Sequence, residues 1–219
     1  MRVKQRARQE EDKEFKRQSI LDAAETLLNL GKYTLPSASE IATEAGMAKG
    51  TLYLYFRTKE EIYLALLAEG FANWLETIKD ELKTADPTIK ATLGSYSLFC
   101  AKNPKIIFLA SLSPAILELN ISEDMAYRFK KKLADEIREI GELMTKAFPQ
   151  LSLEHARKLF INSYALTIGL WQHTHPAPVI EKVFQRKEIS ILLMNFQEDL
   201  YSVLDVLWRG NLENRRKIP

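Results

Sequence analysis

At 219 residues and 25.2 kDa the chain is long enough for one or two domains, and 46% hydrophobic with 27% charged residues is a folding composition, neither peptide-like nor disordered. The 31 Lys and Arg against 29 Asp and Glu leave a net charge of +2, too small for nucleic-acid binding to follow from composition. One cysteine, Cys100, excludes an internal disulfide and points to a reducing, cytoplasmic home.

Along the chain, residues 1–59 carry 11 basic and 8 acidic side chains, and Arg2, Lys4, Arg6 and Arg8 precede the first acid. This arm, 1–10, either reaches phosphates or is a frayed terminus. No signal peptide is expected, because Met1 to Gln18 is charged throughout, and no apolar run approaches the ~18 residues of a membrane span. A first helix is predicted from Glu11 to Leu30, with Ile20, Ala24, Leu27 and Leu28 on one face and Gly31 ending it. A short second helix, Ser37 to Ala45, stops at Gly46, and a third runs from Ala48 to Phe56. Thr58 with Glu61 has the spacing of a capping box and opens a long fourth helix to about Lys83.

Asp86-Pro87 and Asn103-Pro104 each place a capping residue before a proline, marking two more helix starts. Pro114 should interrupt the segment from Pro104 to Leu119. Ser122 caps a helix to Phe148, Ser152 caps one to His173, and a last helix is predicted from Lys187 to Arg209. With no strand-like alternation, the fold class is all-α, of about nine helices. Cys100, beside Leu98 and Phe99, reads as a core thiol rather than a redox sensor.

Ser37 to Phe56, two short helices joined by a glycine turn, has helix-turn-helix spacing, which any αα-corner can imitate. The residues are more specific. Ser39 to Ile62, and above all Lys49-Gly-Thr-Leu-Tyr-Leu-Tyr-Phe56 followed by Lys59, resembles the signature of the tetracycline-repressor-like (TetR) family of bacterial transcription regulators. The resemblance covers about residues 15–66, and the remainder matches only in its all-helical plan. It implies a DNA-binding domain over 1–58, a helical regulatory and dimerisation domain over 59–210, and a polar basic tail, 211–219. Lys49 and Thr51 would then read bases, as Lys can donate to guanine and Thr can touch a thymine methyl. Gly50 would let the helix lie close to DNA, Leu54 would touch methyl groups, and Tyr53, Tyr55 and Lys59 would serve phosphates. Tyr53 has the alternative reading of a half-buried aromatic. Ser37 and Ser39, which begin the second helix, are further DNA-contact candidates: the first could cap the helix and the second reach DNA, although Ser39 stands where many relatives carry a longer basic side chain, and a plain capping role for one of them is the alternative.

One recognition helix reads only a few base pairs, so a homodimer on a palindromic operator is expected. Helical spacing nominates Ala156, Leu159, Phe160, Ser163, Thr167 and Leu170, with Ile189, Leu193, Phe196, Leu200, Val203, Leu204 and Leu207, as its seam, the alternative being that these stripes face their own core. The resemblance further implies a pocket for an apolar or aromatic small-molecule effector, with Phe99, Phe108, Leu112, Ile116, Phe129, Tyr164 and Trp171 as candidate walls. No enzymatic motif is present, and no cofactor or metal is expected; His173 and His175 lack the partners of a metal site. A ligand-responsive repressor is the leading reading. An architectural DNA-binding protein of the same fold and a helical interaction module are the competing ones.

Overall fold

The computed structural model describes residues 2–28 and 34–213, with side chains for 10–28 and 34–212. Gly31, the side chains of Arg2, Lys4, Arg6 and Arg8, and residues 214–219 of the tail lie outside the described residues. Ten α-helices and two 3-10 segments make up the described chain, with no strand among those residues. The helices are α1 (Arg2–Leu27), α2 (Ala38–Glu44), α3 (Lys49–Leu52), α4 (Lys59–Leu82), α5 (Ile89–Lys102) and α6 (Pro104–Leu112). After a 3-10 segment, Leu117–Asn120, come α7 (Glu123–Ala147), α8 (Leu153–Thr174) and α9 (Pro178–Phe184). A second 3-10 segment, Lys187–Leu192, precedes α10 (Phe196–Glu213).

Local chemistry explains most boundaries. Ser122 and Ser152 accept from the backbone N–H groups of Met125 and His155, and so cap α7 and α8 as their sequence requires. Several boundaries differ from the sequence reading. The first helix begins at Arg2 rather than Glu11, since residues 2–10 are rich in helix formers and hold no Gly or Pro. Thr88, not Asp86, starts α5: its hydroxyl accepts from Ala91 N at 3.1 Å, which leaves Pro87 outside the helix. The last helix starts at Phe196 because Asn195 Oδ1 accepts from Gln197 N and Glu198 N at 3.0 and 3.2 Å, while Asn195 N donates to Asp199 at 2.7 Å. Ile189 and Leu193 are therefore not on it, and α9 is a helix that the sequence reading lacks.

Helix α4 is the centre of the molecule. Its residues from Glu60 to Leu67 are all buried, and it packs against α1, α5, α6 and α7. At Gly70 a Cβ would meet the Ile106 side chain at 2.5 Å, so glycine is what lets α6 approach so closely. Lys79, almost wholly buried, binds Glu136 and Glu139 of α7 at 2.9 and 3.1 Å and Glu76 at 2.8 Å, tying α4 to α7. Within the bundle Tyr96 OH lies 2.9 Å from Thr167 Oγ1, and Trp208 Nε1 donates to Ser163 Oγ at 2.9 Å. These bonds satisfy polar groups that are otherwise sealed from water. Cys100 is fully buried, and burial pushes its thiol up, away from reactivity at neutral pH.

Candidate nucleic-acid interface and ligand cavity

The unit α2–turn–α3 is built from local bonds. Ser37 Oγ accepts from Glu40 N at 3.3 Å and Glu40 returns a carboxylate oxygen to Ser37 N at 2.8 Å, a complete capping box. Ser37 is thereby the cap, and Ser39 is the serine left exposed on α2. At the far end Gly46 has φ +66°, and Met47 N bonds Ala42 O at 2.9 Å while Gly46 N bonds Thr43 O at 3.1 Å. That pair of bonds is a Schellman motif, which needs a left-handed residue at this position. The third helix is shorter than the predicted 48–56: after Leu52 the chain tightens into turns, with Leu54 N on Thr51 O and Tyr55 N on Leu52 O.

Leu52 and Phe56 are buried in the common core, with the Arg17 guanidinium of α1 5.5 Å from the Phe56 ring, which turns the neighbouring residues outward. Lys49, Gly50, Tyr53 and Leu54 are exposed, Thr51 and Tyr55 half-buried, and Leu54 projects with 78% of its surface free. Lys49 Nζ stands 6.0 Å from the centre of the Tyr53 ring. A Cβ at Gly50 would meet nothing within 4 Å, so no packing inside the chain requires glycine there. Lys59 is half-buried in the first turn of α4, beside the exposed Arg57, a cation that the sequence reading did not single out. Thr58 caps α4 by accepting from Glu61 N, and its own hydroxyl donates to Asn120 O at 3.0 Å, linking this unit to the rest of the bundle. The Glu61 carboxylate accepts from Arg57 N at 2.7 Å, one residue earlier than a capping box would place it.

An apolar cavity of about 240 Å³ lies between α4, α7 and α8, walled by Phe71, Trp74, Leu75, Leu133, Ile137, Phe160, Ile161 and Tyr164. Of the residues expected to form a pocket, Tyr164 alone lines it, its hydroxyl pushed up to about 12 by burial and then by Glu118. Phe129 lines a narrow gap that also holds Phe71, Leu75, Leu133 and Lys132. That gap shares Phe71, Leu75 and Leu133 with the cavity, and Ala68, Phe129 and Lys132 with an open cleft of about 760 Å³. Phe99 stacks on Trp74 from behind, and Phe108 is core. Leu112 is half-buried, Ile116 is exposed, and Trp171 stacks on His175 with ring centres 3.5 Å apart. None of these five touches the cavity, because α5, α6 and the end of α8 pack behind it. The cleft runs between Tyr53–Arg57 and α7 and holds Arg17, Arg57, Arg128 and Lys132. Arg17 and Arg128 are paired with Glu69 and Asp124; among the described residues Arg57 and Lys132 are in no ion pair.

Most of the expected dimer seam faces inward. Ala156, Leu159, Phe160, Ser163, Thr167 and Leu170 of α8, and Phe196, Leu200 and Leu204 of α10, are buried in this chain's own core. Val203 and Leu207 are half-buried, Ile189 is half-buried on the 3-10 segment, and Leu193 is exposed beyond it. The outward stripes are different residues: Asn162, Ala165, Leu166 and Gly169 on α8, and Val206 and Gly210 beside Val203 on α10. Among the described residues no group of three metal-ligating side chains exists; His173 Nε2 lies 3.0 Å from Leu192 O instead. Nor is any described helix long and apolar enough to cross a membrane.

Two family profiles match in tandem: "Bacterial regulatory proteins, tetR family" over residues 20–66, and "Tetracyclin repressor-like, C-terminal domain" over 68–215. A fatty acid metabolism regulator protein of Bacillus subtilis is 26% identical over 157 residues, 69% of this chain and 81% of that one. The solved fatty acid degradation regulator of Bacillus halodurans superposes with TM-score 0.58 at 19% identity, covering 90% of this chain and 94% of its own. The Bacillus subtilis regulator FadR, solved in complex with stearoyl-CoA, gives TM-score 0.55 at 19% identity over 89% and 97% of the two chains. At these identities the solved structures establish the fold.

Proposed function

As the chain belongs to the tetracycline-repressor-like family of bacterial transcription regulators, we propose that it is a cytoplasmic repressor that binds a palindromic operator as a homodimer and is released by a fatty-acyl effector. The observation that carries the DNA reading is the exposed cluster of Lys49, Tyr53 and Leu54 around a glycine that no internal contact requires. Lys49 and Thr51 read base edges, Leu54 touches thymine methyls, and Tyr53, Tyr55, Arg57 and Lys59 hold phosphates, with Ser39 at the edge of the same face. Ser37 acts as a cap and takes no part in contact. The dimer forms through the outward stripes of α8 and α10, where Ala165, Gly169 and Gly210 let helices approach closely.

The effector reading rests on the 240 Å³ cavity, whose wholly apolar wall suits an alkyl chain, and on the gap at Phe129 and Lys132, whose residues border both the cavity and the cleft. An amphiphile there would bury its tail among Phe71, Leu133 and Ile137 and leave its anionic head beside Lys132 and Arg57. Each methylene that enters the wall contributes about 0.8 kcal/mol. The test is fluorescence anisotropy on DNA upstream of the chain's own gene, against unrelated competitor DNA, with acyl-CoA of increasing chain length. Competitor-resistant binding, lost in Lys49→Ala and reversed by acyl-CoA in the wild type but not in Leu133→Trp, is expected. Equal binding to all sequences, steeply dependent on salt, would refute the operator reading, and indifference to every acyl chain would refute the effector.

A further inference from the structure

Residues 178–194, comprising α9, the following 3-10 segment and the link to α10, carry an unusual surface. Ile180, Val183, Ile191, Leu192, Leu193 and Met194 are all exposed, Ile191 to 88%. Together with Val179 they put seven large apolar side chains of one short segment in water, where singly scattered ones are ordinary. None of them enters the core, and the segment is tied to α8 through the His173 ring at Leu192 O, 3.0 Å away.

We propose that this segment is an apolar clasp that closes on a second copy of the chain and extends the dimer face of α8 and α10; the inference rests on the dimer reading above. His173 follows Gly169 by one turn on α8, so a protein docked on the outward stripe reaches the clasp without a gap. On the stripe Leu166 and Val206 offer side chains, while Ala165, Gly169 and Gly210 bring backbones together but bury little of their own. The clasp adds apolar side chains towards the ~800 Å² that a standard interface takes from each partner. Its charges also fit a copy of itself. Glu181 and Glu188 interleave with Lys182, Arg186 and Lys187, a mixed pattern that two-fold symmetry can pair and that an anionic membrane surface would not favour.

The experiment is sedimentation equilibrium of the full chain across a wide concentration range, for the wild type, the double variant Ile191→Glu/Leu193→Glu, the milder Ile191→Ser/Leu193→Ser, and Val206→Glu on the stripe. Both clasp variants are expected to raise the dimer dissociation constant at least tenfold with unchanged helical circular dichroism, since the replaced side chains touch no core. Val206→Glu should do the same through the stripe. A dimer constant unchanged in both clasp variants, while Val206→Glu weakens it, overturns the clasp and leaves the dimer standing. A wild type that stays monomeric throughout overturns the dimer reading itself.

Discussion

Replacing Ser163 by alanine distinguishes a core face from a dimer face on α8. Trp208 is fully buried, and its indole Nε1 donates to Ser163 Oγ at 2.9 Å, while that hydroxyl donates onward to Leu159 O at 2.8 Å. Alanine removes the acceptor and leaves the Trp208 N–H sealed without a partner, a penalty of about 1–3 kcal/mol. Alanine's better helix propensity returns a few tenths, so a net loss of about 1–2.5 kcal/mol is expected. For a chain of this length each kcal/mol moves Tm by about 2–4 °C, giving a fall of roughly 2–10 °C. Thermal unfolding followed by circular dichroism, at two protein concentrations tenfold apart, reads the fall, and sedimentation reads the dimer constant beside it. The core assignment requires a lower Tm at both concentrations with the dimer constant unchanged. An unaltered Tm accompanied by weaker dimerisation would refute it and return Ser163 to the seam.

Lys79→Met should cost about 1–3 kcal/mol, less than breaking a fully buried ion pair, because Glu76 and Glu139 are half-exposed and only Glu136 is well covered. Urea unfolding measures it, and a midpoint equal to the wild type would show that the three-carboxylate tie between α4 and α7 stabilises nothing. His175 is held below its ordinary value by burial, which outweighs the raising effects of the Trp171 carbonyl and Glu181. The folded state therefore favours the neutral ring, so its stabilisation is present above about pH 6.5 and is lost as pH falls through the lowered value. Tm at pH 5.5 should drop below that at pH 7.5, and less so in His175→Gln; equal slopes in the two proteins would contradict this.

What could be read from sequence was what local chemistry decides. Ser37 with Glu40, Gly46, and Thr58 with Glu61 each fix a boundary through bonds within a few residues, and these delimit the DNA-facing unit. Which side of α8 faces inward is not local. Ser163 and Thr167 lie inside because Trp208 and Tyr96, distant in sequence, satisfy them, while Ala165 and Gly169 lie outside. Apolarity along one helix does not separate those faces. The apolar run from Ile189 to Leu193 has helical spacing, yet Asn195 caps a helix that begins after it. The cavity was harder still, since empty volume arises only where three helices fail to fill the space between them. Phe108 and Trp171 have the same character as Phe71 and Trp74, but only the latter border the cavity between α4, α7 and α8.

One consequence follows from α4 being unbroken from Lys59 to Leu82. Trp74 on the cavity wall lies about 22 Å along the axis from Lys59, at 1.5 Å per residue, so the helix acts as a lever with a long arm. A tilt of about 5° at the cavity carries Lys59 and the capped turn before it through ~2 Å. In a two-fold dimer both arms swing, and a separation that must match ~34–36 Å of DNA changes by up to twice that amount. A ligand that does no more than spread α4 from α7 thus has its small displacement multiplied at the DNA surface.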